Sequence, residues 1–451
     1  MAQFLRSVSV VLICSAPLFV PDVAYAANRL TAAQIAACDR KFHIDVKASD
    51  STGYNIDPDL NITKIADVMP EPGHRYALLY ALADPTFDTR TAEYSRLSDA
   101  GKLMALASFS ARSKPSREEE EIISFLMQDC SHLKARECEA LNRYRHYNVG
   151  LDDAEFRNFA GIFSDRIFDR FYKFAKVNLI KGMPLLISGG CGLNCDWNSK
   201  WRETEFFSEV FVPPVANDSG SAIGTAIDAH FYFTGDPKVS WDVYSGSKFV
   251  SNPFDSSHFD EYSASHSIVA EMLDSNLIIG WVHGRCEIGP RALGNRSILA
   301  APFHASTKER LNEIKQREQF RPIAPVCLEE DSARWFGCNR PSPYMLYTQM
   351  VSSDKLAAVT HVNRTARIQT VSPASNRNLH DLLVAFKART GYGILCNTSL
   401  NFKGKGFINS MAELSTFAIE QGLDGFVVDG RAYMVKASGH YIRYLRKLSS
   451  R

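Results

Sequence analysis

Eight basic side chains crowd into residues 283–325, HGRCEIGPRALGNRSILAAPFHASTKERLNEIKQREQFRPIAP: Arg285, Arg291, Arg296, Lys308, Arg310, Lys315, Arg317 and Arg321. Four glutamates oppose them (Glu287, Glu309, Glu313, Glu318), so the run carries 8 − 4 = +4 in a chain whose total is +1. Gly289-Pro290 and Gly294 bend the backbone on both sides of Arg291, and the polar tips of Arg291, Asn295, Arg296 and Ser297 are expected to converge. Arginines on shaped loops have fixed directions and make forked hydrogen bonds to phosphate or carboxylate oxygens. The chemistry this implies is local anion binding, with a small phosphorylated substrate as the expected ligand. A structural alternative stays open, in which these arginines bridge Glu287 and Glu318.

Other polar sets lie where apolar runs end. Asn397, Thr398, Ser399 and Asn401 follow one such run, with Lys403 just beyond. Four polar groups in five positions suit a substrate-reading loop, or a turn that satisfies its own backbone. Residues 183–187 break into Ser188-Gly189-Gly190-Cys191-Gly192-Leu193-Asn194, a Gly-rich turn that is either a plain strand-to-helix connection or a ligand loop. Asp218-Ser219-Gly220-Ser221 heads a small-residue helix whose free N–H groups would let a phosphate approach, with Asp218 as a cap or a cation ligand. The twelve histidines include no H-x-x-x-H or H-H pair, so His283 and His361 read as hydrogen-bonded core or loop residues. The G-x-S-x-G hydrolase elbow is absent.

The elements that must position these groups follow from periodicity. Phe156, Phe159, Ile162, Phe163, Ile167, Phe168, Phe171 and Phe174 recur at helical spacing and predict a long buried helix whose aromatic stripe is core. Strands are expected at 183–187, 210–212, 277–282, 393–396 and 425–428. Helices are expected at 306–319, 379–389 and 411–419, the first with a Ser306/Glu309 capping box. Glu118, Glu119, Glu120 and Glu121 read as a solvated face. Strands alternating with Gly-rich turns and helices predict two α/β domains, at 74–240 and 263–440, joined by a linker at 241–262. Residues 27–73 carry no assignable motif.

Bulk properties set the limits. With 51 basic and 50 acidic residues, no global field favours nucleic acid. Ten scattered cysteines without C-x-x-C spacing read as reduced thiols. At the N-terminus, Arg6, the apolar stretch 8–20 and Ala24-Tyr25-Ala26 match a secretory leader over 1–26, or else a buried strand. No later segment is long and apolar enough to span a membrane.

Five blocks taken in order resemble the NodU/CmcH-type O-carbamoyltransferases: GKLMALA at 101–107, SGGCGLNC at 188–195, VPPVANDSG at 212–220, EIGPRALGNRS at 287–297 with 315–325, and NTSLN at 397–401. The resemblance implies a partial actin-like (ribonuclease H-like) ATPase domain followed by a YrdC-like α/β domain. The YrdC-like domain would make carbamoyl-adenylate from ATP and carbamoyl phosphate, and the other would pass the carbamoyl group to a hydroxyl acceptor. It further implies that Lys315, Arg321 and Arg367 hold carbamoyl phosphate and the adenylate. Arg291, Asn295, Arg296, Ser297, Asn397, Thr398, Ser399, Asn401 and Lys403 would line the substrate, Lys403 standing where the family commonly has Arg. Gly189, Gly190, Asn194, Ser219 and Gly220 would lie at the nucleotide, with Asp218 at a divalent metal. The family's H-D-x-S-A strand and H-H-x-x-H-A motif do not occur here, and residues 1–73 are short for the rest of an actin-like domain. An incomplete acceptor module is therefore expected, and a homologue that binds nucleotide or a partner protein without turnover is the alternative. Substrates of this kind point to the cytoplasm, and the leader-like start to export.

Overall fold

The structure, a computed structural model, describes residues 9–14, 51–56, 62–88, 90–111, 114–130, 133–236 and 238–449. It divides into two units, Met1–Trp241 and Asp242–Arg451.

The first unit is built on five strands: β1 Ser9–Cys14, β2 Ser51–Ile56, β3 Ile62–Met69, β4 Leu185–Gly189 and β5 Val210–Phe211. Their order is β3-β2-β1-β4-β5, with β1 antiparallel to β2 and parallel to β4, so part of the leader-like stretch forms the middle strand. Around this sheet run α1 Pro72–Ala83, α2 Ala100–Ala107, α3 Arg117–Leu126, α4 Ala154–Asn178, α5 Cys195–Glu203 and α6 Ser221–Thr234. The aromatic helix is α4: Asp153 caps it, accepting from the Phe156 N–H at 2.7 Å, and Phe156, Phe159, Phe163 and Phe171 are buried. Glu119 departs from the expected solvated face. It closes a capping box with Ser116 and lies buried beside His146, whose Nε2 is 3.0 Å from Oε1. A cap and a buried imidazole together offset the cost of taking that carboxylate out of water.

The second unit holds β6 Phe259–Ser263, α7 His266–Asp274, β7 Ile279–Val282, β8 Arg296–Ala300, α8 Ala305–Ile314, β9 Ala324–Leu328, α9 Ser332–Phe336, β10 Thr348–Met350, β11 Thr365–Arg367, β12 Gln369–Val371, α10 Arg377–Thr390, β13 Ile394–Ser399, α11 Met411–Gln421, β14 Gly425–Val428, β15 Arg431–Val435 and α12 Gly439–Ser449. Eight strands form one mixed sheet in the order β12-β9-β13-β8-β7-β14-β15-β6. Every residue of β7, β8 and β9 is buried, because helices cover both faces. On one face Ile298, Ala300, Cys327, Cys396 and Phe426 pack with Leu311 and Ile314 of α8 and Leu414 and Phe417 of α11. On the other, Ile279, Leu299, Val326 and Leu395 pack with Leu273 of α7 and Leu379, Leu383 and Phe386 of α10.

Two expectations change here. Helix α8 begins at Ala305 with His304 as its uncapped N-cap, so Ser306 sits inside the helix and the capping box does not form. The helix also ends at Ile314, because Gln316 takes a left-handed φ of 47° that turns the chain back. The stretch expected as a linker is folded into the second unit: Ile288 N–H donates to Val243 O at 2.7 Å, Cys286 N–H to Ser247 O at 2.9 Å, and β6 pairs with β15. Phe249 and Phe254 anchor it against the core, an apolar signal carried by single aromatics without periodicity.

Phe426, fully buried between the rings of Phe259 (5.3 Å) and Tyr433 (5.0 Å), tests this core. Phe426→Ala is expected to cost about 3–5 kcal/mol in urea unfolding. A loss below about 1 kcal/mol would mean the two helical layers do not close over that ring as described.

Candidate functional site

The register of the second sheet gathers distant residues at one edge. Ser399 lies opposite Ser297, Ser297 opposite Trp281, Asn397 opposite Ala324, and Gln369 beside Val326. The start of β8, the start of β9, the start of β12 and the end of β13 therefore coincide. Arg321 enters this edge just before β9, Arg367 just before β12, and Ser399 to Asn401 leave it after β13.

Helix α8 supplies the second wall. Lys308, Asn312 and Lys315 are spaced i, i+4, i+7 and so share one stripe. Asn312 is fully buried and acts as a hook. Its Oδ1 accepts from Arg317 Nε at 2.7 Å, and its Nδ2 donates to Gln319 O at 3.3 Å and Arg321 O at 3.0 Å. One amide thus fixes both arginine-bearing residues of the loop after the helix. Lys315 Nζ donates to Ser399 O (2.7 Å), Asn401 O (2.8 Å) and Asn401 Oδ1 (2.5 Å), which ties that loop to β13.

The electrostatics are those of like charges held together. Burial, then Arg321, Arg367 and Arg291, push the Arg317 guanidinium down to about 9. Burial, then Arg317 and Arg321, push Lys315 down to about 7. His361 is driven to about 3 by burial, Arg367 and Lys308, so its ring is neutral. Burial also lowers Lys308, with Glu309 opposing and Arg317 assisting. Among the described residues no ion pair joins Lys308, Lys315, Arg317 or Arg367 to a carboxylate, and Arg367 Nε is buried with no partner. Packing cations against one another is unfavourable until an anion arrives, and groups perturbed in this way mark binding sites.

The loop bearing Arg291 is caged from both sides. Glu287 is buried, and its Oε1 accepts from the N–H groups of Leu293 (2.6 Å), Asn295 (2.8 Å) and Arg296 (3.3 Å). Leu293 O accepts from Tyr244 Oη (2.9 Å) and Gln369 Nε2 (2.8 Å). Gly294 sits at φ 112°, and a Cβ there would lie 2.3 Å from Leu379 Cδ2. Glu287 thus binds backbone amides, not the arginines of the structural alternative.

Several expected ligands turn out to be scaffold. Arg296 is fully buried and spends all five N–H groups: Nε and Nη2 on Asn409 Oδ1, Nη1 on His283 O and Asn295 O, Nη2 again on Gly284 O. It has no donor left for a substrate. Asn295 is held at both ends of its amide, donating to Arg285 O and accepting from Asn376 Nδ2. Ser399 and Asn401 shape their own turn, through Ser399 Oγ to Asn401 Oδ1 (2.6 Å) and Asn401 Nδ2 to Phe402 O and Lys405 O (2.9 Å each). Thr398 is buried in β13, and Lys403 is exposed. Asn397 is held by its Nδ2 on Gln369 Oε1 (2.8 Å) and Ala292 O (3.2 Å), which leaves Oδ1 buried without a partner. Ser297 Oγ is also buried without one. Arg317 and Lys308 join the cation set although neither was among the expected ligands; the i, i+4, i+7 stripe on α8 was the available signal for Lys308.

The first unit places its Gly-rich segments side by side, with Gly189 N–H donating to Ala216 O at 2.5 Å. Asn194 is not free for a nucleotide: its Oδ1 caps α5 on Trp197 N–H (3.2 Å) and its Nδ2 reaches Tyr76 Oη (3.3 Å). Gly190 is exposed, and Ser219 Oγ donates to Asn217 Oδ1 at 2.9 Å. Gly220 packs so closely that a Cβ would lie 2.0 Å from Val215 O. The Asp218 side chain lies outside the described residues. Among those described, no three or more His, Cys, Asp or Glu come together to hold a metal ion, and no helix is long and apolar enough to cross a membrane.

Comparison with known proteins gives matches to the carbamoyltransferase C-terminus over residues 270–436 and to the carbamoyltransferase N-terminus over 175–227. The chain is 47% identical over 391 residues to the 3'-hydroxymethylcephem-O-carbamoyltransferase of Amycolatopsis lactamdurans, covering 86% of this chain and 74% of that protein. It is 44% identical over 382 residues to the protein of the same name from Streptomyces clavuligerus, covering 84% and 73%. Nodulation protein U of Rhizobium tropici is 37% identical over 342 residues, covering 69% and 58%.

Two measurements test the site. Lys315 is lowered to about 7 in the fold, so the unfolded chain binds the extra proton above that pH and stability rises from about pH 7 towards 10. An anion in the cluster restores the ammonium, so sulfate binding at pH 8 should take up close to one proton. Calorimetry in buffers of different ionisation enthalpy reads that uptake, and Lys315→Met should lose it; unchanged uptake in the variant would exclude Lys315 as its source. Gly294→Ala should destabilise the chain by about 1–3 kcal/mol through backbone strain and the Leu379 clash, and a neutral result would mean the Arg291 loop is not rigid.

Proposed function

This chain belongs to the carbamoyltransferase family, and from that premise we propose that it activates carbamoyl phosphate with ATP as carbamoyl-adenylate and passes the carbamoyl group to a hydroxyl of a small molecule. One observation carries the reading: the cluster of cations Lys315, Arg317, Arg321 and Arg367, whose like charges lower the pKa values of Lys315 and Arg317 where β9, β12 and β13 share an edge. Two relatives named for a hydroxymethyl-bearing ring compound support a primary alcohol on a compact ring as the acceptor. The strand order β3-β2-β1-β4-β5 supports an actin-like reading of the first unit. The mixed sheet with helices on both faces and its cationic edge supports a YrdC-like reading of the second. Both donor substrates are cytosolic, so the reading puts the enzyme in the cytoplasm.

The atoms balance in three steps. Water takes the phosphate from carbamoyl phosphate, leaving carbamate. A carbamate oxygen attacks the α-phosphorus of ATP and expels pyrophosphate. The acceptor hydroxyl then attacks the carbamoyl carbon, its proton passes to solvent, and AMP departs. What the chain contributes is fixed positive charge where phosphate oxygens gain negative charge, and a low-dielectric wall that strengthens it. Arg321 and Arg367 have guanidinium groups for that task, while Lys315 couples it to the loop after β13. No step is assigned to a metal, since no cluster among the described residues fits one.

Carbamoyl-phosphate-dependent exchange of labelled pyrophosphate into ATP is the test. The wild-type chain should exchange, and Arg321→Ala should lower the rate about 10²–10³-fold, the usual effect of removing one oxyanion-stabilising group. A folded chain that binds ATP but never exchanges would instead be a ligand-binding homologue.

A further inference from the structure

Helix α1 buries an arginine that its surroundings do not neutralise. Arg75 is fully enclosed, and its side chain reaches from α1 to the turn that follows α3. Its Nη2 donates to Gln128 O at 3.3 Å and to Cys130 O. Nε and Nη1, which carry three of its five N–H groups, are buried with no hydrogen-bond partner. Among the described residues no carboxylate pairs with it. Asp129, the acid of that turn, is taken by Arg170, which also holds Val68 O and Met127 O. A buried guanidinium in this state lacks both acceptors and a counter-charge, and each shortfall costs folding free energy.

The side chain placed to supply both is a thiol. Cys130 Sγ lies 3.9 Å from Arg75 Nη2, and Cys130 is half-buried, so part of it meets solvent. Cys138 also feels the charge of Arg75, but it is buried, and burial followed by Glu137 pushes its thiol up to about 12. Of these two sulfurs, only that of Cys130 combines contact with the cation and access from outside. As a thiol it is a weak acceptor. Oxygen bound to the same sulfur is a strong acceptor and carries negative charge, the two things the spare N–H groups of Arg75 lack.

We propose that Cys130 is a modification site for hydroperoxides, with Arg75 as the built-in counter-ion of the oxidised sulfur. The Cys130 sulfur attacks the outer oxygen of the peroxide, so that an S–O bond forms as the O–O bond breaks. The thiol proton leaves on the departing oxygen, as water or an alcohol. Sulfur loses two electrons and the peroxide gains them, so no other oxidant or reductant enters. The sulfenic acid ionises beside Arg75, whose free N–H groups receive the new oxygen. A neighbouring cation also favours the attack, because it stabilises the negative sulfur that reacts. The site belongs to the first unit and needs no part of the carbamoyl-activation reading.

The test treats the reduced full chain with hydrogen peroxide in the presence of dimedone, which traps sulfenic acids, and reads sites and rates by peptide mass spectrometry. Cys191 and Cys286 are half-buried too and serve as internal references. Cys130 should be trapped about tenfold faster than either, as suits a cysteine beside a cation, and that lead should vanish in urea. Arg75→Met should bring Cys130 down to the reference rate, while Arg75→Lys should keep part of the lead; thermal melting identifies the folded variants. Trapping no faster than the references, a lead that survives urea, or an unchanged rate in a folded Arg75→Met chain would each overturn the site. If neither variant folds, the wild-type rates with and without urea decide alone.

Discussion

Mutual repulsion among buried cations is the constraint around which the second unit is organised. Lys308, Lys315, Arg317, Arg321, Arg367 and Arg291 act on one another at a single sheet edge, and neutral dipoles hold Arg317 and Lys315 there. Asn312 grips Arg317 and the Arg321 backbone, and the carbonyls of Ser399 and Asn401 receive Lys315. Dipoles can orient a charge without cancelling it, which a glutamate cannot do. On the function proposed above, the energy stored in the crowded charges is available to a phosphorylated ligand, and the site is prepared before the ligand arrives.

The neighbouring loop solves the opposite problem. Residues 287–296 must be irregular to aim Arg291, yet irregular backbone near a core leaves amides without partners. Glu287 takes three of those amides on one oxygen, while Tyr244, Gln369 and Asn397 supply donors for the carbonyls. Arg296 completes the frame by binding four residues at once, His283, Gly284, Asn295 and Asn409. Arg296, which looked like chemistry, is therefore architecture, as Glu287 is.

Much of this could be read from the amino acids, and the failures share a cause. The aromatic helix α4, the strands of the second sheet and the anion character of 283–325 follow from periodicity and local charge. Lys315, Arg321 and Arg367 were legible as types suited to phosphate. What local pattern could not show is that the Arg296 guanidinium is spent on carbonyls and on Asn409, since Arg291, five residues earlier, sits in similar company. Only burial distinguishes them: Arg296 is fully enclosed. The segment 241–262 was misread for a similar reason, because single phenylalanines dock without repeating. Asn194 was misjudged because a helix cap and a ligand contact ask for the same side chain.

The stripe on α8 has an evolutionary corollary. Each residue added to or removed from a helix swings everything beyond it through about 100°. A one-residue length change between 308 and 315 would therefore rotate Lys315 off the β13 loop or Lys308 out of the cationic row, and no relaxation of side chains could recover both. This short helix works as a ruler whose graduations cannot be moved.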